Sequence, residues 1–414
     1  MKKNFMTGFL SGLFGAVLIF LAVIAVIAFK DDKEIEARKK PVVTAEETKK
    51  ESEVQSYDKI VDKLEFLETL VDTYYLEKVD TSVYADGIYK GFMSSLDDPY
   101  STYYTKDEYN ALMESSSGVY HGIGASVSQD VKTGIITIVK PFADGPAYKA
   151  GILPGDILYK VENEEVTGKD LSEVVSKMKG IEGTEVRIAV VRTDIKDPIE
   201  FTIKRQEIKV PTIEYKMLAD KIGYITITEF DEITVSQFTA AVDDLEKSGM
   251  KGLVVDVRNN PGGLLDSVVK MLDRLLPKGL IVYTEDKYGK RMEEDAVDNK
   301  KISVPMAVLI NGNSASASEI FAGAIQDYKL GTIVGTTSFG KGIVQKVIPL
   351  SDGTAVKLTI SKYYTPKGRN IHGTGIQPDV EVQLSEDLIK MVSIPVEQDN
   401  QLQEAISIVK DRIK

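Results

Sequence analysis

Residues 311–319 contain the residue types best suited to catalysis. They read Asn-Gly-Asn-Ser-Ala-Ser-Ala-Ser-Glu, with three serines at alternate positions. The segment follows a predicted strand and precedes a predicted helix, so we expect its side chains at a helix N-terminus. Free N–H groups and the helix dipole stabilise negative charge there, as attack on a carbonyl carbon requires. A structural interpretation competes, because Ser316 followed three residues later by Glu319 is also a capping box, which only starts a helix.

Lys341 has unusual neighbours for a surface charge, since residues 339–345 read Phe-Gly-Lys-Gly-Ile-Val-Gln. Glycine and apolar neighbours indicate a desolvated amine. At a pKa of about 10.4 only about one lysine in 2,500 is neutral at pH 7, and burial can lower that pKa to ~7–8 for roughly 4 kcal/mol. If the segment is extended, Gln345 points to the same side and can orient the amine. The alternative is a lysine bracketed by glycines that contacts backbone carbonyls.

A second strand-to-helix turn, residues 256–263, reads Asp-Val-Arg-Asn-Asn-Pro-Gly-Gly. The paired glycines Gly262 and Gly263 at the end of a strand allow a backbone N–H group to approach a ligand closely. The alternative is a tight turn with no functional role.

The composition excludes several kinds of site. The 414 residues are 43% hydrophobic and 28% charged, with a formal charge of -12. Such a negative balance disfavours phosphate binding, and we exclude nucleic acid as a partner. Cysteine is absent, and His121 and His372 are the only histidines. The sequence therefore lacks the residues for a thiolate zinc site, a multi-histidine metal site or a histidine-based catalytic triad. We expect no metal and no cofactor.

A chain of this length is expected to form two or three domains. Residues 208–383 alternate apolar strand candidates with helix candidates, which predicts an α/β core with a sheet covered by helices. The strand candidates are residues 253–257, 306–310, 332–334 and 356–360, and the helix candidates are 264–276 and 314–328. Residues 115–207 contain short β-rich runs, turn signals and one helix, which predicts a compact β domain. Its strand candidates are residues 135–139, 157–161 and 186–191, and its helix is 171–178. The fold class is therefore α+β with several domains.

The first 30 residues are predicted to form a transmembrane anchor. Lys2 and Lys3 precede an uncharged run at residues 4–29, and about 23 apolar residues at ~1.5 Å each span roughly 34 Å, enough for a hydrocarbon core of ~30 Å. A cleaved signal peptide is the alternative, but its A-x-A-like site is missing. The lysine pair favours a cytoplasmic N-terminus. We therefore expect a single-pass cell-membrane protein whose folded part lies outside the cytoplasm, in the bacterial cell envelope.

The remaining regions are a tether and two helical ends. Residues 31–54 are charged and polar and are predicted to be a tether. Residues 55–114 carry an apolar stripe at helical spacing, and residues 384–414 end in an amphipathic segment. The N-terminal stripe packs either on its own chain or in a dimer interface, and a homodimer through the terminal helical regions remains open. The predicted domain boundaries are residues 1–30, 31–54, 55–114, 115–207, 208–383 and 384–414.

Several motifs in order resemble the carboxyl-terminal processing protease family, also called tail-specific proteases. Besides the serine–alanine run, they are Leu-Asp-Asp-Pro-Tyr-Ser-Thr-Tyr-Tyr at 96–104, Phe-Gly-Lys-Gly at 339–342, Tyr-Tyr-Thr-Pro at 363–366 and Gly-Ile-Gln-Pro-Asp at 375–379. The resemblance spans about 96–382. It implies that Ser316 is the nucleophile, Lys341 the general base and Gln345 its support. The oxyanion would be held by backbone N–H groups of Ala317 and of the Gly262-Gly263 turn.

The β domain resembles a PDZ domain. Gly122, Ile123, Gly124 and Ala125 look like its carboxylate-binding loop, and residues 147–156 look like its central turn. In such a loop successive N–H groups capture a terminal carboxylate while the peptide adds a strand beside a helix. The resemblance implies a membrane-anchored serine endopeptidase that holds protein or peptide substrates by their free C-termini and cuts them through an acyl-enzyme. We also hypothesise that a bound tail orders the Ser316 region.

Three other functions are weighed against this one. A catalytically inactive anchored PDZ scaffold is disfavoured because Ser316, Lys341 and Gln345 are all intact. A penicillin-recognising enzyme is rejected because the Ser-Lys-Met-Lys at 176–179 and the Lys-Thr-Gly at 132–134 occur in the wrong order, without a Ser-Asp-Asn element. A Ser-His hydrolase would need His372, to which the family resemblance gives no catalytic role.

Overall fold

The computed structural model describes residues 56–297, 301–389, 391 and 394–413. The predicted anchor at residues 4–29 and the predicted tether at 31–54 lie outside these residues. Across the described ranges, no helix combines the length and the apolar character that crossing a membrane requires. The chain divides into one unit that ends at Thr81 and a second unit that begins at Ser82.

The secondary structure comprises ten described α-helices and nineteen strands. The helices are α1 (Tyr57–Tyr74), α2 (Tyr84–Ser94), α3 (Lys106–Ser117), α4 (Pro146–Ala150), α5 (Leu171–Met178), α6 (Glu232–Lys247), α7 (Leu265–Asp273), α8 (Ala317–Asp327), α9 (Glu386–Ile389) and α10 (Asn400–Lys410), with short 3-10 helices at Thr81–Val83 and Ala219–Lys221. The strands are β1 (Thr102–Tyr104), β2 (Val119–Gly122), β3 (Ala125–Gln129), β4 (Ile136–Pro141), β5 (Ile157–Val161), β6 (Glu164–Glu165), β7 (Glu185–Val191), β8 (Ile199–Lys204), β9 (Gln206–Lys209), β10 (Ile213–Met217), β11 (Ile222–Ile227), β12 (Gly252–Asp256), β13 (Gly279–Asp286), β14 (Arg291–Ala296), β15 (Met306–Ile310), β16 (Gly331–Gly335), β17 (Ile343–Pro349), β18 (Ala355–Tyr364) and β19 (Val380–Glu381).

Helix α1 is the α-helix described in the first unit. Its N-cap is Ser56, whose hydroxyl accepts a hydrogen bond from the N–H of Lys59 at 3.4 Å. The predicted apolar stripe lies on this helix, and Ile60, Val61 and Leu67 are exposed. Pairing of the stripe with a second copy of the chain stays a prediction.

A six-stranded sheet in the order β10-β11-β12-β15-β16-β19 forms the centre of the second unit. All its neighbouring strands are parallel except β10 and β11. Every residue of β12 and β15 is buried, as expected where helices cover both faces of a parallel sheet. Helices α6, α7 and α8 share a core with one face through Phe238 and Phe321, and α10 covers the other through Leu402 and Val409. The predicted α/β core is confirmed.

The sheet brings two predicted loops together. Because β12 and β15 are parallel neighbours, the segments that follow them leave from the same edge. These segments are residues 257–263 and 311–316. They are joined by a hydrogen bond from the N–H of Asn259 to Oδ1 of Asn311 at 2.9 Å.

A second, antiparallel sheet has the order β1-β18-β13-β14, with β17 paired to β18. The sequence analysis assigned residues 356–360 to the same sheet as the other strand candidates, and this was wrong. The alternation of strands and helices does not reveal which strands pair. Strands β17 and β18 form a hairpin whose turn closes with a hydrogen bond from the N–H of Leu350 to the oxygen of Thr354. This sheet matters for the site because Lys341 precedes β17 and Gln345 lies on it.

The β domain has a sheet in the order β3-β4-β5-β7-β8, with β6 added to β5. Its core includes Ile136, Leu158 and Val186, and α5 packs on it at the predicted residues 171–178. Strand β3 lies at the edge of the sheet, so one side of it is open to an added strand. Strands β2 and β9 pair with each other and join the beginning of the domain to its end.

A buried ionic network attaches α10 to the central sheet. The Arg258 guanidinium contacts Asp256 at 2.6 Å and Asp399 at 2.7 Å. Asp399 is also the N-cap of α10 and accepts a hydrogen bond from the N–H of Leu402 at 3.0 Å.

We predict that Asp399→Ala lowers the free energy of unfolding by about 3 kcal/mol, because a buried cation loses one of its two carboxylates. Urea unfolding measures the change. The matched control is Asp411→Ala at the exposed opposite end of α10, which should alter stability by less than about 0.5 kcal/mol. Similar losses in both variants would contradict the structural role of the network.

Candidate active site

The hydroxyl groups of the three serines are in different chemical situations. Ser314 Oγ donates to the backbone oxygen of Val257 at 2.7 Å, and Ser318 Oγ donates to that of Asn260 at 2.9 Å. Both serines are fully buried, so their hydroxyls hold the serine loop against the neighbouring loop. The hydroxyl of Ser316 donates to no residue in the described part of the chain, and Ser316 lines a large cavity.

Ser316 lies in a strained turn. It is the N-cap of α8 and forms the capping box with Glu319, so the structural interpretation of this segment is confirmed. Its backbone has φ 54° and ψ -113°, a conformation that residues with a Cβ rarely adopt and that is typical of active sites. Gly262 packs directly against this turn, since a Cβ at Gly262 would lie 2.8 Å from the Cβ of Ser316.

Two backbone N–H groups beside Ser316 have no acceptor among the described residues. One belongs to Ala317, the first residue of α8, which has no intrahelical partner. The other belongs to Gly263. Gly262 differs, because its N–H donates to Oδ1 of Asn260 at 2.8 Å. Gly262 therefore provides space for the turn, whereas Gly263 and Ala317 provide free donors.

A buried carboxylate connects the serine loop to the lysine loop. Glu319 has no exposed surface and accepts hydrogen bonds from the N–H groups of Ser316, Gly340 and Lys341 at 2.9, 2.7 and 2.8 Å. It also accepts one from the hydroxyl of Ser338 at 2.6 Å. The side chain that starts α8 thus also sets the position of the backbone around Lys341.

The Lys341 amine is partly buried beside an aromatic ring. Its Nζ lies 4.5 Å from the centroid of the Tyr100 ring, and within the described residues it forms no ion pair. Burial lowers the pKa of Lys341 below its usual value and Lys357 lowers it further, whereas Asp98 and Glu319 act in the opposite direction. A lowered pKa is what a lysine general base requires near neutral pH.

The motif at residues 96–104 reaches this site through strand pairing. The hydroxyl of Ser101 donates to Asp98 at 2.5 Å and accepts from the N–H of Thr359 on β18 at 3.0 Å. The hydroxyl of Thr359 accepts from Nε2 of Gln345 at 3.3 Å. The sequence analysis used this motif only for the resemblance and missed its contacts with Lys341. The local signal is an Asp two residues before Tyr100, typical of an Asx turn, but its partner strand is 258 residues away.

Most of the predicted catalytic residues line one cavity of about 560 Å³. Ser316, Ala317, Lys341, Gln345 and Gly263 line it, and Gly262 lies behind the turn. Helix α3 forms another wall through Tyr109, Leu112 and Met113. His372 is exposed and does not line this cavity. Among the residues that the structure describes, no cluster of histidine and acidic side chains is arranged to hold a metal ion.

Acidic residues of the cavity wall were missed by the sequence analysis. Glu229 and Asp231 line the cavity near the start of α6. Burial raises the pKa of Asp231 to about 7, with a further contribution from Glu229. The only sequence signal was the Glu-Phe-Asp-Glu at residues 229–232 after a strand, which is also typical of a helix start.

The four predicted peptide-binding residues do not line the cavity that contains Ser316 and Lys341. Gly122 ends β2, and Ala125 begins the edge strand β3. Gly124 has φ +74°, which favours glycine. The N–H groups of Ile123 and Gly124 have no backbone acceptor among the described residues. The backbone N–H groups of such a loop are the donors that a terminal carboxylate would need.

Comparison with known proteins agrees with this architecture. Residues 221–382 match the model of peptidase family S41, residues 138–192 match a PDZ domain, and residues 14–108 match the N-terminal domain of the activating protease CtpB. The carboxy-terminal processing protease CtpB of Bacillus subtilis is 39% identical over 331 residues, covering 79% of this chain and 68% of that protein. The carboxy-terminal-processing protease of Bartonella bacilliformis is 39% identical over 326 residues, covering 76% and 73%.

A solved structure shows the same fold. The putative S41 protease from Bacteroides fragilis is 17% identical, with a TM-score of 0.52 over 82% of this chain and 91% of that one. Together the domains and relatives define a serine-type peptidase that carries a PDZ domain. The chain belongs to the carboxy-terminal processing proteases of peptidase family S41.

We predict that Ser316→Gly raises the free energy of unfolding by about 1 kcal/mol, because glycine relieves a strained backbone that costs ~1–3 kcal/mol and loses part of this gain to its own flexibility. The matched variant Ser316→Ala keeps the Cβ and the strain but loses the capping hydroxyl, so its free energy of unfolding should lie at or below that of the wild type, by at most about 1 kcal/mol. Chemical denaturation compares the three proteins. Equal stability of the glycine and alanine variants would show that this turn stores no strain.

Proposed function

We propose that this peptidase uses Ser316 as its nucleophile and Lys341 as its general base, with Gln345 orienting the amine. The observation that supports the proposal best is the difference among the three serines. The hydroxyls of Ser314 and Ser318 are committed to buried hydrogen bonds. The hydroxyl of Ser316 remains available in a cavity that also contains Lys341, whose pKa is lowered by burial.

The chemistry is acyl transfer. Neutral Lys341 takes the proton of Ser316, and the serine oxygen forms a bond to the substrate carbonyl carbon. The resulting oxyanion accepts hydrogen bonds from the free N–H groups of Gly263 and Ala317. The carbon–nitrogen bond then breaks while the Lys341 ammonium protonates the leaving amine. Water attacks the acyl-enzyme with Lys341 again as the base, which releases the acid and restores Ser316.

The amine must move before the first step. Proton transfer requires Nζ of Lys341 within about 2.6–3.2 Å of the serine oxygen, and no such hydrogen bond joins them in the described structure. The ring of Tyr100 attracts the charged ammonium but not the neutral amine. Deprotonation therefore weakens the contact that keeps Lys341 away from Ser316. Gln345 donates its amide N–H to Thr359. Its amide oxygen is therefore available to accept a hydrogen bond from the amine of Lys341.

The β domain is proposed to read the C-termini of substrates. Gly122, Ile123, Gly124 and Ala125 would bind the terminal carboxylate through backbone N–H groups, and the peptide would extend β3 as an added strand. The edge position of β3 supports this mode of binding. The partners are therefore proteins or peptides with free C-termini.

The membrane anchor also remains a proposal. It rests on the uncharged run at residues 4–29 and the preceding lysine pair. In this arrangement the peptidase acts outside the cytoplasm on substrates near the membrane surface.

Serine replacements test the assignment of the nucleophile. Ser316→Ala should reduce hydrolysis of an unfolded protein substrate to background, because the attacking oxygen is removed. Ser314→Ala and Ser318→Ala should remain active while losing about 1 kcal/mol of stability, since each loses one buried hydrogen bond while the carbonyl keeps a backbone donor. Gel assays and urea unfolding measure the two effects. Full activity of Ser316→Ala would eliminate the proposed mechanism.

Two charge variants should shift the pH dependence in opposite directions. Lys357→Gln removes a cation that lowers the pKa of Lys341, so the acidic limb of kcat/KM should move to higher pH. Asp98→Asn removes an anion that raises this pKa, so the same limb should move to lower pH. A quenched fluorescent peptide provides the profiles. If both variants shifted the limb in the same direction, Lys341 would not be the group that titrates.

A further inference from the structure

A tyrosine side chain lies against the proposed carboxylate-binding loop of the PDZ domain. Tyr120 on β2 packs its ring against this loop, since a Cβ at Gly122 would lie 2.8 Å from the Cε2 atom of Tyr120. The hydroxyl oxygen of the same tyrosine lies near the backbone N–H groups of Ala125 and Gly124. These are two of the donors that a substrate carboxylate would need.

The surroundings of Tyr120 keep its hydroxyl protonated. Burial raises the pKa of Tyr120 to about 12, although the two N–H groups act against the increase. The hydroxyl is therefore neutral at physiological pH. A neutral phenol is a weaker acceptor than a carboxylate, because hydrogen bonds to an ionised oxygen are roughly twice as strong. Tyr120 can hold the loop when no tail is present and give way to a tail.

A lysine beside this tyrosine is already paired. Lys179 follows the last residue of α5, and its Nζ lies 4.9 Å from the centroid of the Tyr120 ring. The same amine forms an ion pair with Glu114 of α3. Both side chains of the pair keep about a third of their surface exposed, with 34% each, so the pair can exchange partners without a large desolvation penalty.

We propose that Tyr120 is an internal competitor for the tail carboxylate, and that Lys179 transfers from Glu114 to the carboxylate when a tail binds. The ligand is the free C-terminal carboxylate of a polypeptide. This inference rests on the proposed reading of C-termini by the PDZ domain. It adds a donor lysine outside the predicted loop and two groups, the Tyr120 hydroxyl and Glu114, that reduce the affinity for tails.

The test uses the full chain with Ser316→Ala, so that bound peptide is not cut. The probes are a fluorescein-labelled apolar peptide ending in a free carboxylate and the same peptide with a C-terminal amide. Fluorescence anisotropy gives the dissociation constants for the parent and for added Tyr120→Phe, Glu114→Gln and Lys179→Met. Tyr120→Phe removes only the hydroxyl and keeps the ring below Lys179. Tyr148→Phe, at an exposed tyrosine of the same domain, is the matched control.

We expect Tyr120→Phe to bind the free-carboxylate peptide about three- to tenfold more tightly, because the hydroxyl that competes for the N–H groups of the loop is removed. Glu114→Gln should also bind more tightly and Lys179→Met more weakly. The amide peptide should respond to none of these changes, and Tyr148→Phe should match the parent. Thermal unfolding of each variant verifies its fold, and Glu114→Gln tests the model independently if Tyr120→Phe is unstable.

Two negative results have different meanings. If the parent prefers the carboxylate peptide but Tyr120→Phe binds it equally or more weakly, Tyr120 is not a competitor and the inference is overturned while tail reading stands. If the parent does not distinguish carboxylate from amide, the PDZ domain does not read C-termini, and the proposed function of that domain fails together with this inference.

Discussion

The architecture of the candidate active site depends on the carboxylate of Glu319. Its four hydrogen-bond donors come from the serine loop after the central parallel sheet and from residues 338–341 before the second sheet. A buried carboxylate without partners would destabilise the fold by several kcal/mol. Because the donors come from two separate loops, satisfying this one charge aligns the loops with each other. The proposed nucleophile and the proposed base are therefore brought to one cavity by a group that takes no part in the proposed chemistry.

This role shows that the two interpretations of the serine run are compatible. The capping box at Ser316 and Glu319 starts α8, and on sequence alone it competes with catalysis. In the structure the cap residue also has a strained backbone, and the cap carboxylate also binds the lysine loop. A glutamate that serves only as a cap would be partly exposed at the helix surface, whereas Glu319 has no exposed surface. Local sequence shows the cap, but only the tertiary fold shows the burial.

The parts of the fold that follow from local pattern were predictable. Continuous apolar runs indicated β12 and β15, and their parallel pairing places the serine and glycine loops side by side. The second sheet was not predictable in the same way, because β1 pairs with β18 across most of the chain. The roles of Asp98, Tyr100 and Lys357 around Lys341 depend on that long-range pairing. Likewise, the free N–H of Gly263 and the engaged N–H of Gly262 differ only through the side chain of Asn260.

The setting of Lys341 links protonation to position. Burial and Lys357 favour the neutral amine, whereas Asp98, Glu319 and the ring of Tyr100 favour the ammonium. The groups that favour the charge include Tyr100 and Asp98, which come from the segment around β1. Any displacement of that segment would therefore change both the pKa of Lys341 and the preferred position of its amine. Strand pairing between β1 and β18 thus constrains the pKa and the position of the Lys341 amine as well as the sheet. For this reason the motif at residues 96–104 belongs to the site although it supplies no nucleophile.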